Sequence, residues 1–208
     1  MFKGVQINKM IQNNSEITKT IHNGITVYQK ATSPIGVYDS FNRADANTLG
    51  VADTGQSWLV DGGTFGIVSN MARPLSLTNS FARAVIDSGL SNCIVSVKIN
   101  MTEIADSRVL FRYIDSANHF FLHAVGSSYI LYRRVSGATT NIGSINLTNN
   151  TKDDIKIALN GNNIKVYINN TLIFNITDST YLTATKHGIA VYNTLTARFD
   201  DFKVEVLA

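Results

Sequence analysis

The stretch Asp39-Ser-Phe-Asn-Arg43 has the pattern of a short strand that runs into a turn, and the chain beyond it continues in the same style. Two segments near the C-terminus provide a closing counterpart, Gly188-Ile-Ala-Val-Tyr192 and Phe199-Asp-Asp-Phe-Lys-Val204. Between them, short runs of alternating apolar and polar residues are separated by glycine and asparagine, and none has a helical period. This spacing is typical of an antiparallel sandwich or barrel and argues against a parallel α/β sheet.

The alternation predicts a series of strands that together form one principal domain over residues 35–208. A chain of 208 residues that is 44% hydrophobic can bury a sizeable core. Turn signals separate the predicted strands, for example at Asp61-Gly-Gly63 and Asn169-Asn170. The strands are expected near residues 36–41, 66–70, 82–85, 93–101, 108–113, 119–125, 129–135, 139–145, 154–159, 164–168, 171–176, 188–192 and 199–206.

Residues 1–34 form a separable unit that ends at Pro34. Alternating runs flank Asn13-Asn14 and the stretch His22-Asn-Gly24. Asn-Gly between two such runs favours a hairpin, because both residues tolerate positive φ. We therefore expect a small N-terminal β-hairpin arm of about three strands, which needs packing against something else to be stable.

The net charge of +3 is confined to residues 1–34, and this distribution argues against a nucleic-acid partner. Lys3, Lys9, Lys19 and Lys30 against Glu16 account for all of it within the arm. The rest of the chain is neutral, whereas phosphate binding needs a concentrated basic face. We expect no nucleic-acid binding.

The single cysteine, Cys93, lies in the apolar run Cys93-Ile-Val-Ser-Val97 and is expected to be a buried structural residue. No apolar stretch approaches the roughly 20 residues that span a bilayer. No basic segment leads into an apolar signal region near residue 1. We therefore expect no signal peptide and no membrane insertion.

The order of motifs over residues 36–206 resembles that of concanavalin-A-like lectins and glucanases, including laminin-G-like domains. The region 108–176 contributes a Phe-Arg-Tyr strand, Asp115-Ser-Ala-Asn118, two aromatic strands and Asp154-Ile-Lys-Ile-Ala-Leu-Asn-Gly161. This resemblance implies an all-β, two-sheet antiparallel jelly-roll sandwich, a scaffold that often holds sugars. It also implies that Trp58, after the opening turn, is buried in the core.

A glycan hydrolase of this fold is one alternative, and the sequence does not favour it. The similar family 16 hydrolases carry Glu-x-Asp-x-x-Glu on one strand, where alternation directs the carboxylates into one groove. This chain lacks that pattern, and its only glutamates are Glu16, Glu103 and Glu205. No nucleophile motif or tight metal-ligand spacing replaces it. The protein is expected not to be an enzyme.

The resemblance also implies a possible structural calcium ion where the first and last strands meet. Asp39 and Asp200 or Asp201 occupy the matching positions. Hard oxygen ligands suit calcium. The alternative is that these aspartates make ordinary hydrogen bonds at a turn and at strand ends.

Alternation on consecutive strands predicts a sugar-binding face. In the strand 108–113, Val109, Phe111 and Tyr113 suit the core, which directs Arg108 and Arg112 outward. Sugars are recognised by aromatic surface against the ring and by planar polar groups that pair with hydroxyls. The candidate ligand-binding residues are Arg108, Arg112, His119, His123, Tyr132, Arg134, Tyr192 and Asn193. The alternative is an ordinary solvent-exposed sheet face without a ligand, along which the aliphatic parts of the arginine side chains lie.

The sequence-based hypothesis is a non-catalytic carbohydrate-binding protein that contacts bacterial surface polysaccharide. The arm, with a glycine followed by Ile25-Thr-Val-Tyr28, resembles those that begin tail and baseplate proteins of phages. That resemblance implies location in a virion, contacts with other virion proteins through residues 1–34, and a homo-oligomer whose repetition supplies avidity. The alternative is a structural decoration or joining protein of the virion that binds no glycan.

Overall fold

The protein is described by a computed structural model that covers residues 7–12, 15–22, 25–30, 35–100, 106–147 and 152–207. The chain divides into two compact units, Met1–Pro34 and Ile35–Ala208. Every regular element in the described residues is a β-strand. That part of the chain contains no helix long and apolar enough to cross a membrane.

The first unit is a three-stranded antiparallel meander. Its strands are β1 (Ile7–Gln12), β2 (Ser15–His22) and β3 (Ile25–Lys30), and β2 lies between the other two. In this register Ile7 is opposite Thr20, and Ile17 is opposite Lys30. The expected strands are present, while the turn residues 13–14 and 23–24 lie outside the described residues.

The second unit contains the remaining strands, most of which follow the predicted runs. They are β4 (Ile35–Asp39), β5 (Leu59–Val60), β6 (Thr64–Val68), β7 (Met71–Ser76), β8 (Phe81–Asp87), β9 (Cys93–Asn100), β10 (Ser107–Asp115), β11 (Asn118–Val125), β12 (Ser128–Val135), β13 (Ala138–Asn146), β14 (Lys152–Asn160), β15 (Asn163–Ile168), β16 (Thr171–Thr177), β17 (Lys186–Tyr192) and β18 (Phe199–Val206).

These strands form two antiparallel sheets. The front sheet has the order β13-β12-β11-β10-β17-β8-β5, and the back sheet has the order β16-β15-β14-β9-β18-β7-β6 with β4 paired to β18. The predicted all-β, two-sheet antiparallel sandwich is therefore confirmed. Sequence neighbours such as β10 to β13 pair as hairpins, whereas β17 crosses over to lie between β10 and β8.

The core fills the space between the two sheets. Inward residues of β14 and β15 alternate with half-exposed ones, as a strand with one buried face requires. The front sheet contributes Val109, Phe111, Phe120, Leu122 and Ile189, and the back sheet contributes Val95, Val97, Ile157, Val166 and Phe202. Burying such side chains provides the main driving force of folding. Cys93 and Trp58 are both buried there, as predicted.

A β-bulge in β10 reverses the predicted alternation at its C-terminal end. The pairing of β10 with both neighbours shifts after Phe111 and after Leu110, and Arg112 has a positive φ of 47°. An extra residue in one strand exchanges the two faces beyond it. Arg112 consequently points into the sandwich and is fully buried, while Tyr113 lies on the opposite face of the front sheet. The predicted orientations of both residues are wrong for this reason.

Candidate functional site

The candidate site is the outer face of the front sheet, the face directed away from the core. Strand pairing aligns Arg83 with Ala190, Ala190 with Arg108, and Arg108 with His123 across four strands. The next row runs from Val85 through Leu110 to Phe121 and Tyr132. Adjacent strands lie about 4.8 Å apart, so these side chains form one continuous surface.

The floor of this face is a small apolar cluster separate from the main core. It consists of Val85, Leu110, Tyr113, Phe121 and Ala190, with Tyr132 packed against it. The Tyr132 ring stacks on Phe121 at 4.9 Å between centroids. Because Tyr132 is only partly buried, it presents ring surface on the face.

Arg108 lies at the centre of an aromatic group at one end of the face. Its guanidinium carbon is 5.3 Å from the Phe81 ring centre, 4.9 Å from Phe121 and 5.1 Å from Tyr192. The Phe81 and Tyr192 rings are themselves 4.8 Å apart. These cation–π contacts fix the arginine stem and leave its side chain 13% exposed.

Asp106 connects Arg108 to His123. Its Oδ1 atom lies 3.2 Å from Arg108 Nε and 2.6 Å from His123 Nε2. Both partners sit on the outer face on paired positions of β10 and β11. The carboxylate therefore compensates the positive charge at this end of the face.

His119 lies at the other end, stacked on Tyr113 at 5.2 Å. Burial lowers its pKa to about 4, and the positive charges of Arg134 and Arg83 act in the same direction. The imidazole is therefore neutral at pH 7. Its Nδ1 atom is 3.0 Å from the carbonyl oxygen of Asp115. A carbonyl can only accept, so the proton is on Nδ1 and the other ring nitrogen, Nε2, is an acceptor.

A shallow depression lies between these two ends. It holds about 270 Å³ of space that is open to solvent. Arg134 is paired with His119 across β11 and β12, and its Nη1 atom donates to Thr139 Oγ1 at 3.4 Å. The residues that line the depression are Phe81, Arg83, Arg108, Leu110, Ser116, His119, Phe121, Arg134 and Ala190.

Arg112 does not belong to this face, which corrects the predicted site. Its guanidinium donates to the carbonyl oxygens of Asp178 at 3.1 Å, Thr180 at 3.4 Å and Gly161. The charge also lies 6.0 Å from the Phe120 ring centre. Burial lowers the pKa of this guanidinium. Arg112 thus holds two loops from inside the sandwich and cannot contact a ligand on the outer face.

The other candidates are placed on or beside the face. Tyr192 is part of the aromatic group around Arg108, and Asn193 is exposed immediately beyond β17. The backbone of Asn193 donates to Ser80 at 2.9 Å, which fixes this rim against the turn before β8. Binding of a ligand by these residues stays a prediction.

Sequence reasoning missed the contribution of β8 to the face. Ala82 and Ala84 are buried inward, which leaves Phe81 and Arg83 on the outer side. The alternation of small and large residues in this predicted strand could have shown their orientation. It could not have shown that β8 lies next to β17, because that pairing joins segments distant in the chain.

The proposed calcium ligands do not fit the ion. Asp39 Oδ1 accepts from Arg43 Nη1 at 2.6 Å and from the Phe41 amide at 2.9 Å, while Oδ2 accepts from Arg43 Nη2 at 3.0 Å and from Trp58 Nε1 at 2.7 Å. These donors occupy the oxygens that a cation would need. Asp201 instead pairs with Lys98 Nζ at 2.7 Å.

No metal cluster appears elsewhere in the described residues. Groups of three or more His, Cys, Asp or Glu side chains that could hold an ion are absent from that part of the chain. For Asp200, burial raises the pKa of the carboxyl, which disfavours the charged form that a calcium ligand requires. The alternative interpretation, ordinary hydrogen bonds at a turn and a strand end, describes Asp39 better.

The carboxylates of Glu205, Asp106 and Asp61 are each engaged by another side chain. Glu205 makes an ion pair with Lys203 at 2.6 Å in the back sheet, and Glu103 lies outside the described residues. On the front sheet, Asp106 is held by Arg108 and His123, and Asp61 accepts from the Tyr113 hydroxyl.

The fold is shared with solved structures of low sequence identity. Carbohydrate binding module CBM66 from Bacillus subtilis superposes with a TM-score of 0.62 at 16% identity, over 71% of this chain and 94% of that one. Domain 4 of AbnA, a GH43 extracellular arabinanase from Geobacillus stearothermophilus in complex with arabinotriose, gives 0.54 at 14% identity over 85% and 94%. LamAcat from Zobellia galactanivorans gives 0.56 at 13% identity over 82% and 97%.

These likenesses confirm a jelly-roll sandwich of the concanavalin-A-like type and extend no further than the fold. No family model and no curated protein matches the chain. The solved structures include both a carbohydrate binding module and a domain of an arabinanase, so shared architecture alone does not distinguish binding from catalysis.

Proposed function

We propose that residues 35–208 bind carbohydrate on the outer face of the front sheet, without catalysis. The observation that carries this proposal is the joined set of aromatic rings, arginines and histidines around the depression. A binding module and an arabinotriose-binding domain share the sandwich, which supports the same assignment.

The chemistry of the face suits a sugar ring and its hydroxyls. The half-buried rings of Tyr132 and Tyr192 offer apolar surface for stacking. The guanidinium of Arg134 supplies donors, and neutral His119 supplies an acceptor. A hydroxyl needs both kinds of partner, since it donates and accepts at once.

The absence of catalysis is proposed from the state of the carboxylates. Glycoside hydrolysis requires one carboxyl group that acts as acid and another that acts as base or nucleophile. The carboxylate of Asp106 is already engaged by the side chains of Arg108 and His123. Purified protein incubated with laminarin and arabinan is expected to release no reducing sugar. Release that disappears in the Asp106→Asn variant would overturn the non-catalytic assignment.

Aromatic substitutions test the binding face directly. The purified chain is probed against an array of bacterial wall polysaccharides, and the affinity for the best glycan is then measured by calorimetry. We expect Tyr192→Ala and Tyr132→Ala each to weaken binding about tenfold, a loss of about 1.4 kcal/mol, because stacking surface is removed.

Tyr167→Ala is the matched control for these variants. Tyr167 is a half-buried tyrosine on the back sheet with Lys156 Nζ 5.0 Å from its ring centre. We expect it to bind as the parent protein does. Binding that is lost in Tyr167→Ala and retained in Tyr192→Ala would move the site to the other sheet, and binding to no glycan would favour the structural decoration protein.

We further propose that residues 1–34 attach the sandwich to a larger assembly, such as a phage tail or baseplate, through contacts between chains. The three-stranded meander supports this because a unit as short as Met1–Pro34 buries too little apolar surface to be stable by itself. Light scattering is expected to give an oligomer for the full chain and a monomer for residues 35–208. The same number of chains per particle in both proteins would contradict a role of the arm in self-assembly.

A further inference from the structure

We propose that the depression binds the negatively charged group of an acidic glycan, a carboxylate or a phosphate, so that the ligand is anionic rather than neutral. This inference rests on the proposed sugar-binding function and specifies its ligand class. The feature that carries it is the presence of three arginines, Arg83, Arg108 and Arg134, among the residues that line one small concave surface.

The positive charge in the depression is only partly compensated. No described residue that lines it is acidic. Asp106 neutralises Arg108 from outside the depression, at 3.2 Å. Arg83 Nε is 3.9 Å from Asp61, whose carboxylate also accepts from a tyrosine hydroxyl. In the described chain, Arg134 has no acidic side chain within ion-pair distance.

Two arginine nitrogens in this region lack a hydrogen-bond acceptor within the described part of the chain. The Nε atoms of Arg83 and Arg134 are buried, and among the described residues neither has a hydrogen-bond acceptor. A buried donor without a partner destabilises the protein, and an incoming acceptor removes that cost. An anionic acceptor gains most, because its bonds to guanidinium are roughly twice as strong as those between neutral groups.

Arg83 and Arg134 line the same depression as His119. The positive charges of both arginines also lower the pKa of the His119 imidazole. Arg134 reaches it from β12 and Arg83 from β8, on opposite sides of β10. A group bound beside His119 therefore meets positive charge from two directions.

The remaining surface of the depression fits the uncharged part of the same sugar. Leu110, Phe121 and Ala190 form an apolar base, against which a ring face can lie. His119 Nε2 accepts a hydrogen bond from one sugar hydroxyl. The depression is shallow and has room for about one water-sized group, so it takes the charged group of one acidic residue while the rest of the sugar lies against the face.

The test compares acidic glycans with their neutral counterparts on the full chain. Calorimetry measures the affinity for oligogalacturonate and for its methyl ester, and for phosphomannan and the same mannan after dephosphorylation. We expect at least one acidic form to bind about tenfold more tightly than its neutral partner, a difference of about 1.4 kcal/mol. The pair that shows the difference identifies the anion as carboxylate or phosphate.

Charge-removing variants locate the effect. Arg134→Gln and Arg83→Gln are each expected to reduce the ratio of acidic to neutral affinity several-fold, and Arg134→Lys less, because lysine keeps the charge without the planar fork. Lys165→Gln removes one positive charge from the back sheet and should leave the ratio unchanged. Thermal unfolding of each variant confirms that it is folded.

The outcomes separate this inference from the function on which it rests. Acidic and neutral forms that bind equally well, or neutral array glycans that bind while both acidic probes do not, overturn the anionic ligand and leave sugar binding intact. Binding to no probe and to no array glycan overturns both. A ratio that falls equally in Lys165→Gln and Arg134→Gln shows a general charge effect and also overturns the proposal.

Discussion

Arg112 shows how one side chain holds distant parts of the sandwich together. Its guanidinium is fully buried and donates to carbonyl oxygens in the turn at Gly161 and in the loop that contains Asp178 and Thr180. A buried charge is tolerated when several acceptors satisfy it. The arginine in turn supplies these carbonyls with a donor from inside the sandwich.

Replacement of Arg112 is expected to destabilise the fold strongly. Arg112→Gln leaves at least two of the carbonyls without a donor, so we expect a loss of about 3 kcal/mol in the free energy of unfolding. Urea titration followed by circular dichroism measures it, with Lys165→Gln as the control for charge. A loss below about 1 kcal/mol would mean that the carbonyls find other donors.

Two buried histidines make stability depend on pH. Burial lowers the pKa of His119 and of His187 from 6.5 to about 4. The unfolded chain takes up protons near pH 6.5, while the folded chain resists protonation until about pH 4. The stabilisation is therefore complete above pH 6.5 and is lost as the pH falls toward 4, by on the order of 3 kcal/mol for each group.

The His187→Met variant tests this dependence. We expect the decrease in unfolding free energy between about pH 7 and about pH 4.5 to become smaller by about half, since one of the two groups no longer titrates. Urea unfolding at both pH values gives the slope. The substitution also removes the contact between His187 Nε2 and the Leu90 carbonyl oxygen at 3.1 Å, which changes the stability at every pH. The test therefore compares the change in unfolding free energy between the two pH values, not its absolute value. An unchanged dependence of the unfolding free energy on pH would contradict a lowered pKa for His187.

Among the strands, the contact between β8 and β17 positions the outer face of the front sheet. Gly188 in β17 is opposite Val85 in β8. A Cβ atom at this glycine would overlap the carbonyl oxygen of Ala84 and lie 2.8 Å from the Cα atom of Val85. The close approach of the two backbones thus requires glycine.

Gly188→Ala is expected to destabilise the protein by about 2 kcal/mol or more, because backbone atoms must move apart. Gly126→Asn is the control, since Gly126 has a φ of 56° with open space around it, and asparagine tolerates that region. Thermal unfolding compares the two variants. Equal stability of Gly188→Ala and the parent would show that the strands separate at little cost.

At the scale of the whole molecule, the chain consists of two compact units of different size. The unit Ile35–Ala208 contains both sheets and the whole described core. A domain of that length buries enough apolar surface to fold by itself. Met1–Pro34 contributes a sheet of only three strands.

Residues 35–208 expressed alone are therefore expected to unfold cooperatively, within a few degrees of the transition of the full chain. Differential scanning calorimetry provides both midpoints, and near-UV circular dichroism at Trp58 reports the packing of the single tryptophan. A truncated protein without a cooperative transition would show that the sandwich needs the arm.

Much of the strand pattern was predictable from the sequence because it depends on local signals. Asn169 and Asn170 both have positive φ, at 50° and 66°, as expected for the turn between β15 and β16. The strand β7 was not predicted, since it contains Pro74, which lacks a backbone donor. The short strand β5 also went unpredicted, as two residues show no periodicity.

The all-β sandwich, its core and the outward position of His119 and His123 follow from the amino-acid pattern, because alternation and turn residues act within a few neighbours. The inward position of Arg112, and the place of Phe81 and Arg83 beside Arg108 on the outer face, follow from long-range pairing in the folded protein. A bulge of one residue exchanges the two sides of a strand, and the placement of β17 between β8 and β10 joins segments far apart in the chain. Neither event leaves a local pattern.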